Sequence, residues 1–528
     1  MALIKSIITV GGGTAISRVV GFVRDILIAH FLGASMMADA FFVALRFPNL
    51  FRSLFAEGTL NVAFVPLLSG ELHTKGKQHA RVFARSVFGF LFYILLLFTV
   101  VMEILMPHLM FLLAPGFDDI AGKMALTTSL SRITFPFLLF VSLVSLFAGM
   151  LNAVGKFWAA AFTPTILNLV MIVSLYVLTP FIINPYAPAY ALSYGVVIAG
   201  VIEFSFLAWH VQKAGLSIGL MNPIRALFHV SRGVKTLLRK MAPGVLGSGV
   251  YQINLFFDTL FVSFVGAGAV SWLNYAHHLF QLPIGIIGTA IGTALLPVLS
   301  RHIKLNELSE ATNQLNRALE ISLAMSSASL IGLMCLAEPI VRILFERGAF
   351  TAIDSVRTAH ALMVFAIGLP AYMLTKTVSP FFYARGDTST PVKIAIVGVG
   401  LNAILALIFM QFWGYLGIAL ATGITVWVNA GQYIVRLYLK GDVRLDSLCQ
   451  YRLPRILISG LIMGVFLIAA RWGCHFISPD WTEKSTFSSA FLLFLLIGMA
   501  IIVYMTAILA TKSILMRDIR MLIRRSSN

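Results

Sequence analysis

Charge is what this 528-residue chain has least of: Asp, Glu, Lys and Arg together make up 11% of it. A soluble protein of ordinary composition carries about 25%, so a water-facing globule with a polar coat is excluded. Cysteine is scarce too. Cys335, Cys449 and Cys474 are scattered without a CxxC pair, which indicates neither a disulfide framework nor a zinc site. No catalytic triad, zincin helix or paired-carboxylate site occurs. "GGGT" at 11–14 lacks a following Lys-Ser/Thr and follows no strand, so it reads as close helix packing or a flexible point rather than a nucleotide loop. Acid is scarcer than base, 21 residues against 39. The basic residues lie mostly between apolar runs, which fits the positive-inside rule and argues against nucleic acid.

What is present is hydrocarbon. The chain is 59% hydrophobic, and apolar runs recur from end to end. The expected class is an all-α polytopic membrane protein with about 14 transmembrane helices, the first near 4–31 and the last near 487–511. Arginines interrupt the first run and no small-residue cleavage site follows, so it is expected to stay as a span rather than be removed as a signal. Basic clusters follow the second span (Lys75, Lys77, Arg81, Arg85), the sixth (Arg225, Arg232, Lys235, Arg239, Lys240) and the eighth (Arg301, Lys304). Others follow the twelfth (Lys440, Arg444, Arg452, Arg455) and fill the tail (Arg517, Arg520, Arg524, Arg525). With fourteen spans all fall on one side, which predicts cytoplasmic termini.

An internal repeat is visible. "FLGA" at 31–34 returns as "FVGA" at 264–267, and "VPLLS" at 65–69 as "LPVLS" at 296–300. Pro136 matches Pro370, "AVGK" at 153–156 matches "ARGD" at 384–387, and Asn168 matches Asn402, at offsets of 231 to 234 residues. Matches in order at one offset predict two six-helix pseudo-repeat lobes related by an axis along the membrane normal. The expected division is 1–215 for the first lobe and 216–441 for an amphipathic linker with the second. Two extra C-terminal helices and a basic tail fill 442–528. Lobes that face one another would enclose a cavity and give alternating access by rocking.

Polar residues inside the spans are the candidates for function, because a charge near the bilayer centre costs roughly 2.5–3.5 kcal/mol on the insertion scale. At 100° per residue, Thr14, Ser17, Arg18, Gly21, Arg24 and Asp25 share a sector of roughly 120° on the first span. Asp39, Arg46, Asn49, Ser53 and Glu57 share about 80° on the second, with Arg52 pointing away unless Pro48 turns the helix. One reading pairs these charges as structural ties, which suits Asp25 and Asp39. The other is an anion site, because arginine cannot shed its proton and its planar fork fits phosphate oxygens. Span 7 aligns Gly247, Tyr251, Asn254 and Asp258, and span 8 aligns Asn274, His278, Gln281 and Gly285. His277 and His278 diverge by about 100°, which disfavours a shared metal. Asp258, Asn402 and Thr422 are isolated polar residues that bridge helices or, in the sharper reading, hold a monovalent cation.

Several segments together resemble one family. "SRVVGFVRD" at 17–25, "ADAFFVALRFPNLFRSLFAEG" at 38–58, "FPFLLFVSL" at 135–143, "LFERGAF" at 344–350 and "FYARGDTSTPVKIA" at 382–395 are similar to the MurJ/MviN family. These are lipid II flippases of bacterial cell-wall synthesis within the multidrug/oligosaccharidyl-lipid/polysaccharide exporter superfamily. The resemblance implies a fourteen-helix fold whose last two helices form a groove for the lipid tail. It implies that Ser17, Arg18, Arg24, Asp39, Asn49, Arg52 and Glu57 lie at or near a substrate cavity. It also implies a sodium site that would map onto Asp258, Asn402 and Thr422, with Ala406 where a further carboxylate is needed. Ser53 and His278 stand where family members often carry arginine, and the resemblance implies His278 as a pH-dependent stand-in. The expected activity is export of lipid II across the bacterial inner membrane by a monomer with no catalytic residue, driven by sodium, protons or membrane potential. Rival readings are an exporter of another polyprenyl-linked oligosaccharide or of a drug, and a polytopic enzyme acting on polyprenyl phosphates.

Overall fold

The computed structural model describes residues 2–55, 59–216, 219, 222–228, 230–439, 445–477 and 486–513, all helix, turn or loop with no strand among them. Glu57, Lys440, Arg444 and the tail arginines from Arg517 onward lie outside the described residues. The chain divides into two compact units, Met1–Ser271 with Arg347–Phe350, and Trp272–Glu346 with Thr351–Asn528.

The first unit contains α1 (Ala2–Leu32), α2 (Met36–Phe55), α3 (Thr59–Leu113), α4 (Lys123–Thr134), α5 (Phe137–Ala153), α6 (Trp158–Val177), α7 (Ala187–Lys213), α8 (Pro223–Phe228) and α9 (Arg232–Ser263). Its core packs α3 against α5 and α9, α5 against α7, and α1 against α6. Phe64, Leu146, Met150, Leu151 and Leu207 are completely or almost completely buried there. The expected second span, 36–68, takes in α2 and the first turns of α3, with 56–58 outside the described residues, and helix runs on to Gly76. Gly76 holds φ +83° and breaks α3 there, a conformation open to glycine because it has no Cβ.

The second unit begins within α10 (Ala269–Pro283) and continues through α11 (Thr289–Lys304), α12 (Leu308–Phe345), α13 (Ala352–Ile367), α14 (Leu369–Ala384), α15 (Ser389–Trp413), α16 (Tyr415–Leu439), α17 (Ser447–Ile477) and α18 (Thr486–Ala510). α12 is its spine, touching α13, α14, α17 and α18. The last two helices are tied to it by chemistry as well as packing. Arg452 on α17 donates to Glu320 on α12 at 2.9 Å, and Arg317 pairs with both Glu320 and Asp446. Nineteen residues on, Arg471 donates to the Cys335 carbonyl at 2.6 Å. Arg452, expected among the loop charges, is instead 3% exposed. It is buried because Glu320 neutralises it.

The sequence repeat corresponds to repeated local geometry. Pro136 falls at the break between α4 and α5, and Pro370 just after the break between α13 and α14. Proline removes a helix hydrogen bond in both places. Gly155 and Gly386 each hold φ +75° after α5 and α14, and Gly33 and Gly266 each take positive φ after α1 and α9.

Among the described residues, eleven helical segments are long and apolar enough to cross a membrane, so the protein is a multi-pass membrane protein. Helices α1, α2 and α9 are not among the eleven, and the expected count of about fourteen includes them. They carry Arg18 and Arg24, Asp39 to Arg52, and Gln252 to Asp258.

Candidate functional site

Helix α1 brings two of its expected residues into one hydrogen-bonded group. The Arg24 Nε and Nη2 donate to Asp25 Oδ1 at 3.0 and 2.7 Å, and Nη1 donates to Asn168 Oδ1 at 2.8 Å. Asn168 in turn donates to the Ser17 carbonyl at 3.1 Å, which fixes α6 against α1. Arg24 therefore enters any anion site as one half of an ion pair, its side chain 19% exposed, rather than as a lone cation. Of its five N–H groups, two have no partner among the described residues. Arg18 is exposed on the same helix, and Ser17 is half-buried.

Helix α2 builds a cavity with α9. Arg46, Asn49, Arg52 and Ser53 from α2 meet Gln252, Leu255, Phe256 and Thr259 from α9 around a space of about 460 Å³. Arg46 donates to Thr259 Oγ1 at 2.7 Å, and Gln252 to Ser53 Oγ. Arg52, which an ideal wheel turns away from its neighbours, folds back so that Nε meets Asn49 Oδ1 at 3.1 Å. Two guanidinium groups thus share one cavity, and none of its described lining residues is a carboxylate.

Asp39 lies elsewhere on α2, in a fully buried node. One oxygen accepts from Lys123 Nζ at 2.8 Å and from the Gly268 amide at 2.7 Å. The other accepts from the Ser271 amide and hydroxyl at 2.9 and 2.6 Å. Lys123 also sits 3.9 Å from the centre of the Phe117 ring. With both partners 0% exposed, this node is a structural tie between α2, α4 and the start of α10.

The remaining expected residues do not form one group within either unit. His278 is half-buried on α10, beside His277, whose ring contacts Gln281 at 2.6 Å. Asp258 belongs to the first unit and accepts from Asn254 at 3.1 Å, while Asn402 and Thr422 belong to the second. Thr422 donates to the Ile418 carbonyl of its own helix at 3.2 Å, and Asn402 is buried beside Ala406 on α15. Neither unit by itself assembles the three-residue cation site. Glu320, Asp446 and Cys449 do lie within metal-binding distance of one another, but Arg317 and Arg452 already neutralise the two carboxylates.

Sequence reasoning overlooked Glu203. It is 3% exposed on α7 and lies within electrostatic reach of Arg52. A single acid inside the apolar run "GVIEFSF" is a signal that would have found it. Gln252 and Thr259 carried no comparable signal, since their importance comes only from facing α2.

A family model described as "Lipid II flippase MurJ" matches residues 28–482. A probable lipid II flippase MurJ of Rhizobium tropici is 41% identical over 475 residues, 89% of this chain and 88% of the relative. A similarly described protein of Vibrio cholerae serotype O1 is 34% identical across 98% of both chains. A solved structure of lipid II flippase MurJ in an inward closed conformation superposes with a TM-score of 0.76 at 26% identity, covering 95% of this chain and 98% of that one. An inward-facing multidrug resistance MATE family transporter shares the fold, with a TM-score of 0.65 at 18% identity, over 80% of this chain and 94% of its own.

Proposed function

The chain belongs to the MurJ family, and from that premise we propose that it moves lipid II from the cytoplasmic to the outer leaflet of the bacterial inner membrane. The observation that carries this reading is the pair Arg46 and Arg52 in a cavity of about 460 Å³ whose described lining residues include no carboxylate. A pyrophosphate is a dianion that cannot enter hydrocarbon without partners. Guanidinium forks supply them as charge-assisted, bidentate hydrogen bonds. Arg24, already balanced by Asp25, contributes its two remaining N–H groups as directional donors without adding charge. Asn49 and Thr259 hold the two guanidinium groups, while Ser53 and Gln252, bonded to one another, offer neutral polar groups to the sugars.

In the transport cycle the headgroup enters from the cytoplasm while the polyprenyl tail stays in lipid, beside α17 and α18. The two halves then alternate in exposing the site to one leaflet and the other. Neutralising Arg46 and Arg52 with the diphosphate lets the loaded carrier move almost without net charge. The emptied cationic site returns toward the negative interior, favoured by about 2.3 kcal/mol per charge per 100 mV. Membrane potential is then sufficient as a driving force. Cytoplasmic termini follow from the basic loops. A cationic drug is disfavoured as cargo, because it would need carboxylates, and the described lining residues supply none.

The test is binding of lipid II to the purified protein in detergent. Arg52→Lys keeps the charge but loses the fork, and should weaken binding about tenfold, while Arg52→Ala should weaken it more. Equal affinity for wild type and Arg52→Ala would remove the anion site from the account.

A further inference from the structure

Glu203 is the charged residue on the inner stripe of α7. Its neighbours there, Val196, Ala199, Gly200, Leu207 and Val211, recur at helical spacing and are all buried. The packing around it is close. A Cβ on Gly200 would lie 2.9 Å from the Phe137 ring, and the Phe204 ring centre is 5.2 Å from that of Phe147. From Glu203 to the end of α7 at Lys213 is about 15 Å at 1.5 Å per residue. A carboxylate held at that depth in dry protein is costly unless an opposite charge offsets it.

The helices around α7 decide which charge that is. α7 packs chiefly against α2, α4, α5 and α6. Neither α5 nor α6 contains a charged residue. On α4, Lys123 is held by Asp39 at 2.8 Å, and Arg132 is exposed. On α2, Arg46 donates to Thr259 at 2.7 Å, whereas the charge of Arg52 reaches Glu203. On α1, Arg24 is already paired with Asp25 at 2.7 Å. Arg52 therefore has an anion cavity on one side and a buried acid within reach on the other. Glu203 is not among the residues lining that cavity, so it acts on an anion there without touching it.

We propose, resting on the transport reading, that Glu203 is the internal counter-ion of Arg52, holding its charge when the cavity is empty and competing with the diphosphate for it. A flippase must let its cargo go as well as capture it. Two guanidinium groups with no rival acid would keep a diphosphate bound long after the site had opened outward. Glu203 weakens that hold in two ways. It offers Arg52 a second partner, and it repels the diphosphate across protein of low dielectric. Asn49, which accepts from Arg52 Nε at 3.1 Å, is the pivot about which the fork turns from one partner to the other. Glu203 is a positioning residue, because it acts through Arg52.

The experiment is equilibrium binding of lipid II to the full chain in detergent, followed by transport in reconstituted vesicles. Glu203→Gln keeps the shape and removes the charge. It should tighten lipid II binding about tenfold and slow transport at saturating lipid II, a split that lost packing would not produce. Glu203→Asp withdraws the carboxylate by one methylene and should bind with intermediate affinity, which serves as the test if the glutamine variant does not fold. In an Arg52→Ala background the gain from Glu203→Gln should shrink to about threefold or less, since only the repulsion remains. No gain in affinity from Glu203→Gln, or from Glu203→Asp where glutamine does not fold, would overturn the proposal. So would the full tenfold gain with Arg52 absent. In both cases the anion site survives if Arg52→Ala alone still weakens binding. If Arg52→Ala binds as tightly as wild type, the anion site fails and the counter-ion role with it.

Discussion

Replacing Asp39 by alanine should damage the fold before it affects substrate. The carboxylate and Lys123 are both 0% exposed and 2.8 Å apart, so the substitution strands an ammonium in dry protein. Breaking such a pair from one side costs about 3–5 kcal/mol. The amides of Gly268 and Ser271 lose their acceptor as well, which pushes the loss toward the upper end. At about 2 °C per kcal/mol for a unit of this size, the midpoint of thermal unfolding should fall by roughly 6–10 °C. Lys123→Met removes the charge from the other side. Because both changes break one interaction, the double variant should be more stable than the sum of the single losses predicts, by about 2–3 kcal/mol. The assay is a thermal melt of all four proteins in one detergent, with lipid II affinity measured below the transition. If Asp39→Ala abolished lipid II binding and left the melting midpoint unchanged, the structural role would be refuted and Asp39 would belong with the substrate contacts.

Three further outcomes follow from named contacts. Gly348→Ala should cost well over the 1–2 kcal/mol of left-handed strain, because φ is +61° and the added Cβ would meet His30 at 2.4 Å; Gly76→Ala, with φ +83°, ψ 176° and nothing within 4 Å, should cost backbone strain alone, about 1–3 kcal/mol, and paired melts read the difference. Glu320→Ala should strand Arg452, lowering the melting midpoint more than Arg317→Ala does, since Arg317 is 31% exposed. Asn168→Ala removes both the acceptor for Arg24 and the donor to Ser17, and should reduce lipid II transport in reconstituted vesicles about tenfold by loosening the Arg24 fork, while Asn168→Asp keeps the acceptor and retains more activity.

Much of the fold could be read from local pattern. The apolar runs set the helices, and Pro136 with Pro370 and Gly155 with Gly386 marked the same breaks twice, because proline and glycine act through their own backbone. The site was legible only in part. Arg24 and Asp25 are adjacent, so their pairing could be anticipated. The third member, Asn168, lies 144 residues away, and no local pattern specifies that contact. Lys123, the partner of Asp39, sits in a short polar stretch that reads as solvated loop until packing of α4 on α2 buries it. Arg52 defied the ideal wheel because a long side chain can swing across a helix surface to Asn49. Gln252 and Thr259 became site residues through the fold alone, being polar groups on the face of α9 that meets α2.

The central claim is that the guanidinium groups of α2 carry a diphosphate-linked headgroup across the bilayer. Its most direct measurement is the amount of lipid II reached by a membrane-impermeant probe in bacteria depleted of their own flippase and supplied with this chain. Wild-type protein should restore outer-leaflet lipid II, and the Arg46→Ala/Arg52→Ala variant, present at the same level in the membrane, should leave it inside. Equal exposure of lipid II with both proteins would contradict the account.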